Sequence, residues 1–382
     1  MYSVSGYGKM IADKPRMEAY VKALRQSVKP DSVVVDLGSG PGVFALIACQ
    51  LGARRVYAIE PDNAIFLAKE MAVANGCSNR IEFIQDFSTK VTLPERADVI
   101  ISDMRGILPF FQNHIPSIVD ARRRFLKPAG VLIPMQDRMW ATLAEVPDLY
   151  GKFTNTWLSN PYDLDLRAGW RLVANTWRKG KVVTSDQLLV EPECWATLDY
   201  TTVEDSNVNA AISLVAKRDG TAHGIVVWFD TTLIDGVELS NAPGLPELIY
   251  GSAFFPLSEP VLLEEGDRIF LELCADLVGD DYIWRWNTRV VSHSADKIKA
   301  AFKQSTFFGV PLSPIQLRKR ANTHVPELNE EGAIDKFILQ QMDGETSLEK
   351  IAHQLIVKFP DRFADFKSAL TIAGERSLKY SR

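Results

Sequence analysis

Long apolar runs, a basic excess, clustered cysteines and paired histidines are all missing from this 382-residue chain. No apolar stretch approaches the roughly 18 residues that a membrane-spanning helix needs. Lys9 and Asp13 fall where a signal peptide would carry its apolar segment. A net charge of −5 at pH 7 argues against non-specific nucleic-acid binding, which requires a basic surface. The four cysteines, Cys49, Cys77, Cys194 and Cys274, are scattered without metal spacing and read as reduced thiols in a cytoplasmic protein. The five histidines, at 114, 223, 293, 324 and 353, show no ligand spacing either, so no metal site is expected. There is no long internal repeat and no low-complexity tract. What remains, 46% hydrophobic and 24% charged, is the composition of an ordinary globular protein long enough for two or three domains.

The most informative segment is Val33-Val34-Val35-Asp36-Leu37-Gly38-Ser39-Gly40-Pro41-Gly42. A β-branched run of this kind reads as a buried parallel strand. Glycines at alternate positions let the backbone turn tightly and approach a ligand. A helix after them aims its N–H groups into the turn. The next strand ends at Glu60, eighteen residues after Gly42, where a carboxylate can hold both hydroxyls of a ribose. Together these predict a nucleoside-containing cofactor. The glycine spacing is one residue tighter than in dinucleotide folds. Asp36, just ahead of the turn, suits a cationic ligand better than a pyrophosphate.

The chain around this motif alternates helices and strands. Residues 15–28 and 61–75 read as helices, and 33–36, 56–60, 81–84 and 98–102 as strands. That pattern predicts an α/β, doubly wound parallel sheet over residues 1–134, with ligands at the carboxyl ends of its strands. Asp103, just after the strand ending at Ser102, lies on that rim and is the first candidate for orienting an acceptor. Arg105 beside it reads as an ion-pair partner. From 135 to 305, strand-like runs without intervening helices predict an antiparallel barrel or sandwich. Within it, residues 152–180 lack strand alternation and carry Trp157, Tyr162, Trp170 and Trp177, which suits an arm packed on a partner subunit. A third unit, 306–382, reads as short helices with a final strand-like Arg376-Ser377-Leu378-Lys379-Tyr380, a winged-helix-like module. Thr346 or Ser347 can cap its second helix, and Pro360 is expected to start the third.

The turn and its flanks resemble class I S-adenosylmethionine-dependent methyltransferases. Residues 7–291 further resemble the protein arginine methyltransferases, which join such a fold to a barrel with a dimerisation arm. Gly8-Lys9-Met10-Ile11-Ala12-Asp13-Lys14-Pro15-Arg16 looks like the family's cofactor lid. The resemblance implies that Met10 packs on S-adenosylmethionine, Arg16 meets its carboxylate, Asp36, Gly38, Gly40 and Glu60 hold its methionine and ribose, and Asp86 touches the adenine. It also implies a homodimer acting on a peptide or protein, with no nucleic acid or membrane as partner. The family's hairpin loop carries two glutamates in a Ser-Glu-x-x-Gly…Glu arrangement. Here Ser102-Asp103-Met104-Arg105-Gly106 leads to Gln112, so one acid is shortened and the other is an amide. Asp103 is then expected to position the nucleophile, with Gln112 as its hydrogen-bond partner and His114 able to accept a proton. The family's Thr-His-Trp loop reads Leu248-Ile249-Tyr250, leaving only an aromatic in kind. A packed barrel residue is the default for Tyr250.

Residues from Pro326 to Ala352 are similar to the small winged-helix protein of pyrroloquinoline quinone biosynthesis, whose relatives bind leader peptides by adding a strand to a sheet edge. A packing cap is the alternative. Two functional readings follow from the sequence. One is a methyltransferase acting on a nitrogen nucleophile of a peptide or protein. The other is a catalytically weak cofactor-binding scaffold whose terminal module recognises a peptide.

Overall fold

The computed structural model describes residues 3–160, 162–180 and 183–381. They form two compact units, meeting in sequence at Pro311 and Leu312, six residues beyond the boundary expected from sequence.

The first unit opens with α1 (Val4–Ala12) and α2 (Lys14–Ser27). Asp13 links them by accepting the Arg16 N–H, an N-cap that frees α1 to diverge from α2. Then follow β1 (Val33–Leu37), α3 (Val43–Gln50), β2 (Arg55–Ile59), α4 (Ala64–Ala74), β3 (Ile81–Ile84), β4 (Ala97–Ser102), α5 (His114–Phe125) and β5 (Leu126–Ile133). The strands make one parallel sheet in the order β3-β2-β1-β4-β5. Every residue of β1 is buried, as a central strand covered on both faces must be. The strand order reverses between β1 and β4. Gly38 and Asp103, the first residues past these two strands, flank the resulting crevice.

The chain continues through β6 (Gln136–Ala144), α6 (Pro147–Leu158), α7 (Arg167–Val173), β7 (Arg178–Gly180), β8 (Glu193–Asp199), β9 (Val208–Val215), β10 (Gly220–Ile234), β11 (Val237–Ser240), β12 (Ser252–Leu263), β13 (Arg268–Val278), β14 (Asp281–Val291) and β15 (Ile298–Ser305). These strands form two antiparallel sheets, β7-β12-β10-β6-β8 with β11 on β10, and β15-β14-β13-β9. Leu143, Ala222 and Leu257 of the first sheet share a core with Leu214, Ile269 and Val290 of the second, giving the expected barrel-like pair of faces. A larger core runs without a break from Tyr20 and Val34 in the nucleotide fold to Phe255 and Trp286 in the barrel.

The arm is helical, built from α6 and α7; Pro161, inside the span expected for it, lies outside the described residues. Its aromatics do not all face outward. Trp157 lies so close over Gly169 that a Cβ there would sit 2.2 Å from the ring, and Trp177 stacks on Phe255. Tyr162, 75% exposed, together with Leu158 and Leu164, forms the apolar surface that remains. Trp157 therefore packs the arm's two helices on each other, and Trp177 fastens the arm to the barrel.

Cys49 and Cys77 are not separate thiols. α3 and the turn after α4 bring them together as a disulfide, with Cα atoms 6.3 Å apart, a pairing that a 28-residue separation does not announce.

The second unit is helical: α8 (Pro314–Lys319), α9 (Glu330–Gln341), α10 (Leu348–Lys358) and α11 (Phe366–Tyr380). Ile334, Ile338, Ile351, Leu355, Phe363 and Ala369 form its core. The wing is overturned, since Arg376–Tyr380 is the last turn and a half of α11. Ala369 and Ala373, four apart, bury one helical face, and Arg376 continues it by donating to Asp335 at 2.6 Å. The third helix starts at Phe366 rather than Pro360, because the Asp365 carboxylate accepts the Ser368 N–H and caps it there. Ser347, one of the two candidates, caps α10.

Candidate active site

The crevice between β1 and β4 opens into a cavity of about 780 Å³, within the range of small-molecule sites. Its floor is backbone. Gly38 and Gly40 hold φ angles of 70° and 51°, where side chains are strained. A Cβ on Gly38 would sit 2.5 Å from Met104 Cγ, and one on Gly40 2.7 Å from the Tyr7 ring. The glycines are thus needed for both conformation and room. Met10 and Arg16, from α1 and α2, form the opposite wall.

Glu60 also lines the cavity. Its carboxylate accepts N–H bonds from Gly40 at Oε2, 2.8 Å, and from Asp62 at Oε1, 2.9 Å, which fixes one oxygen on the glycine turn and the other on the loop after β2. Burial raises its pKa above the ordinary carboxylate value, against those two bonds. Two expected contacts lie elsewhere. Asp36 is behind the cavity wall and accepts the Ala45 N–H at 2.9 Å, tying β1 to the first turn of α3. Burial pushes its carboxyl up to about 7, so it offers a ligand no dependable charge. Asp86 also turns away, accepting the Phe87 N–H at 2.7 Å, and Phe87 and Ser88 line that end instead. A nucleoside with an amino-acid tail nonetheless suits the cavity's lining: a glycine turn beside Met104 and Tyr7, a fixed carboxylate at the end of β2 and the Arg16 guanidinium.

On the acceptor side, Asp103 is buried and fully engaged. Arg16 donates to its Oδ2 from Nε at 2.8 Å and Nη2 at 2.5 Å. The Tyr250 hydroxyl donates to Oδ1 at 2.8 Å and Oδ2 at 2.7 Å. Burial alone would raise the Asp103 pKa, but the Arg16 and Arg105 cations overcome it and hold the carboxyl below its usual value. Tyr250 is therefore part of the site and not only a packed ring. Its neighbour Ile249 donates its N–H to Asp13 at 2.6 Å, which brings the barrel loop to the lid.

Arg105 is wholly buried. Its Nη1 donates to Asp137 at 2.7 Å and Thr231 at 2.5 Å, its Nη2 to the Tyr20 hydroxyl, and it reaches Asp103 at 3.4 Å. The Tyr200 hydroxyl gives its only proton to Asp137 at 2.5 Å. His114 Nε2, 3.2 Å from the Tyr200 oxygen, must then be the donor, which leaves Nδ1 bare. Burial, reinforced by Arg105, lowers the His114 pKa to about 3. His114 lines the cavity but stays neutral, so the expectation that it accepts a proton fails.

Gln112 is exposed at the cavity mouth, held by a φ of 43°, and makes no hydrogen bond with Asp103. The expected Asp103–Gln112 pair is not formed. The next residue, Asn113, instead donates to Asp280 at 3.2 Å, and Asp280 brings the β13–β14 turn into the cavity rim. Asp137, Tyr200, Tyr250 and Asp280 are not among the site residues expected from sequence; they lie 32, 86, 147 and 167 residues from their partners Arg105, His114, Asp103 and Asn113, so no local signal marks them.

Residues 16–134 match the family described as ribosomal protein L11 methyltransferase (PrmA), and residues 138–289 match the arginine methyltransferase oligomerization subdomain. The protein arginine N-methyltransferase PRMT10 of Oryza sativa subsp. japonica is 31% identical over 298 residues, which cover 68% of this chain and 77% of that one. The probable protein arginine N-methyltransferase 6 of Arabidopsis thaliana is 31% identical over 229 residues, and the chain spans about half of its length, 52%. Among solved structures, Arabidopsis thaliana protein arginine methyltransferase 10 superposes with a TM-score of 0.71 at 23% identity, covering 79% of this chain and 97% of that one. The Trypanosoma brucei PRMT1 enzyme-prozyme complex with AdoHcy gives 0.72 at 22% identity, covering 78% and 96%.

Proposed function

Because the chain belongs to the protein arginine N-methyltransferase family, whose methyl donor is S-adenosylmethionine, we propose that Asp103 orients a nitrogen nucleophile of a peptide or protein for methylation. The observation that carries this reading is the position of Asp103, at the reversal of strand order and on the same cavity as Glu60 and the glycine turn. Glu60 would hold the ribose hydroxyls, Gly38 and Gly40 would admit the cofactor's body, and Met10 and Arg16 would cover its amino-acid end. When bound, the cofactor supplies a methyl group on a sulfonium, open to in-line displacement. Asp103 aligns the acceptor N–H with that centre and offsets positive charge there. Arg16 and, from further away, Arg105 keep Asp103 ionised, and the buried pair with Asp137 holds Arg105 in place.

Calorimetry tests the cofactor side. Glu60→Ala should weaken S-adenosylhomocysteine binding by about 1–3 kcal/mol through lost ribose hydrogen bonds. Unchanged binding would remove Glu60 from the site.

The second reading, a cofactor-binding scaffold with weak catalysis, is favoured by one specific observation: Asp103 is held by the chain's own Arg16 while Gln112 stands apart. Tight cofactor binding without transfer to any peptide would select it.

The same proposal includes a homodimer through the arm. Leu158, Tyr162 and Leu164 expose apolar surface of the kind a partner covers, and the matched oligomerization subdomain supports this use. The intact chain should sediment as a dimer at micromolar concentration. Replacing the three residues together by serine should give a monomer with the same melting behaviour. A monomeric parent would refute the arm's role.

A further inference from the structure

We propose that Arg16 is a shared positioning residue, holding Asp103 until a ligand carboxylate draws its guanidinium away, so that the acceptor's acid is released only in the cofactor-loaded protein. This rests on the reading of the cavity as a cofactor site and concerns how its two halves communicate.

The case begins with a count of donors. A guanidinium has five N–H groups. Arg16 Nη1 serves the Met10 carbonyl at 3.0 Å and the Met17 sulfur at 3.2 Å. Nε is divided between Asp103 and the Tyr250 oxygen, at 2.8 and 3.1 Å. One Nη2 hydrogen goes to Asp103. A single N–H is left over. The Nε–Nη2 edge, which would grip a carboxylate bidentately, is already on Asp103. The guanidinium carbon also lies 5.4 Å from the Tyr20 ring centre and 5.5 Å from that of Phe44. A ligand carboxylate in the cavity therefore competes with Asp103 for the same edge. Release does not strand Asp103, since the Tyr250 hydroxyl still donates to it and Arg105 remains at 3.4 Å.

Two ligands that share a nucleoside separate this competition from ordinary binding. S-adenosylhomocysteine carries the amino-acid carboxylate, and 5′-methylthioadenosine lacks it. By calorimetry, Asp103→Asn should tighten S-adenosylhomocysteine about tenfold, the worth of one charge-assisted interaction, and change 5′-methylthioadenosine less than about twofold. A second measurement does not depend on that variant folding. In the unaltered protein carrying 13C-labelled aspartate carboxyls, the Asp103 signal, assigned by its loss in Asp103→Glu, should move with S-adenosylhomocysteine and ignore 5′-methylthioadenosine. Equal effects on the two ligands, or an Asp103 signal indifferent to both, overturns the proposal. If the unaltered protein binds neither ligand, the cofactor reading itself falls and takes the proposal with it.

Discussion

Arg105→Met should destabilise the first unit by about 3–5 kcal/mol, the cost of leaving a buried charge without its partner. Methionine keeps most of the volume, so the loss reports charge and hydrogen bonding more than a cavity. Asp137, wholly buried, would keep Thr231 and Tyr200 as donors but lose Arg105, its ion-pair partner among the described residues. The variant should also acquire a distinctive pH response. Burial already raises the Asp137 pKa above its ordinary value, even with Arg105 beside it. A carboxyl whose folded pKa lies above its unfolded pKa favours folding when protonated and loses that contribution as pH rises through the folded value. Removing Arg105 raises the folded value further. The deficit should therefore be full at neutral pH and shrink in acid, as Asp137 takes up a proton. Urea unfolding at several pH values checks both points; a loss below about 1 kcal/mol, or one that grows in acid, would contradict the ion-pair account.

Arginine peptides should be poor acceptors. A guanidinium stays protonated and needs its charge offset inside a buried site. The hairpin offers one carboxylate, and Gln112 is exposed and makes no hydrogen bond with it. A charge-assisted interaction is worth about 1.5–3 kcal/mol, so a missing acid should cost one to two orders of magnitude in rate. The double change Asp103→Glu and Gln112→Glu should raise transfer from labelled S-adenosylmethionine to an arginine peptide by about that factor. Efficient turnover by the unaltered chain would mean that Asp103, with Tyr250 bonded to it, is enough.

What could be read in advance followed from local rules. The alternation of short apolar strands with helical runs placed the parallel sheet. The glycine turn and Glu60 were visible as a motif, since their roles depend on residues close in sequence. The acceptor half was less legible. Asp103 gave its position but not its partners, which come from α2 and from a barrel loop more than a hundred residues away. Asp36 looked like a ligand contact because its place before the turn was visible while its bond to Ala45 was not. His114 was assigned a proton-accepting role that only its burial denies. At the C-terminus, a five-residue polar stretch carries too little pattern to separate strand from helix. Ala369, Ala373 and Asp335 decided in favour of helix.

The unbroken core from Tyr20 to Trp286 has a thermodynamic consequence. Many multidomain enzymes unfold piecemeal, one lobe melting while its neighbour persists. Here one contiguous set of apolar contacts serves the nucleotide fold and part of the barrel, beside the barrel's own inter-sheet core. Trp284 and Trp286 on the barrel and Phe110 on the acceptor loop belong to a single packed set, in which Phe110 meets Trp284 edge-on at 5.7 Å. The two lobes of the first unit should therefore unfold in one cooperative transition. A barrel substitution that weakens packing lowers the population of molecules with a formed acceptor loop, even where it touches no ligand.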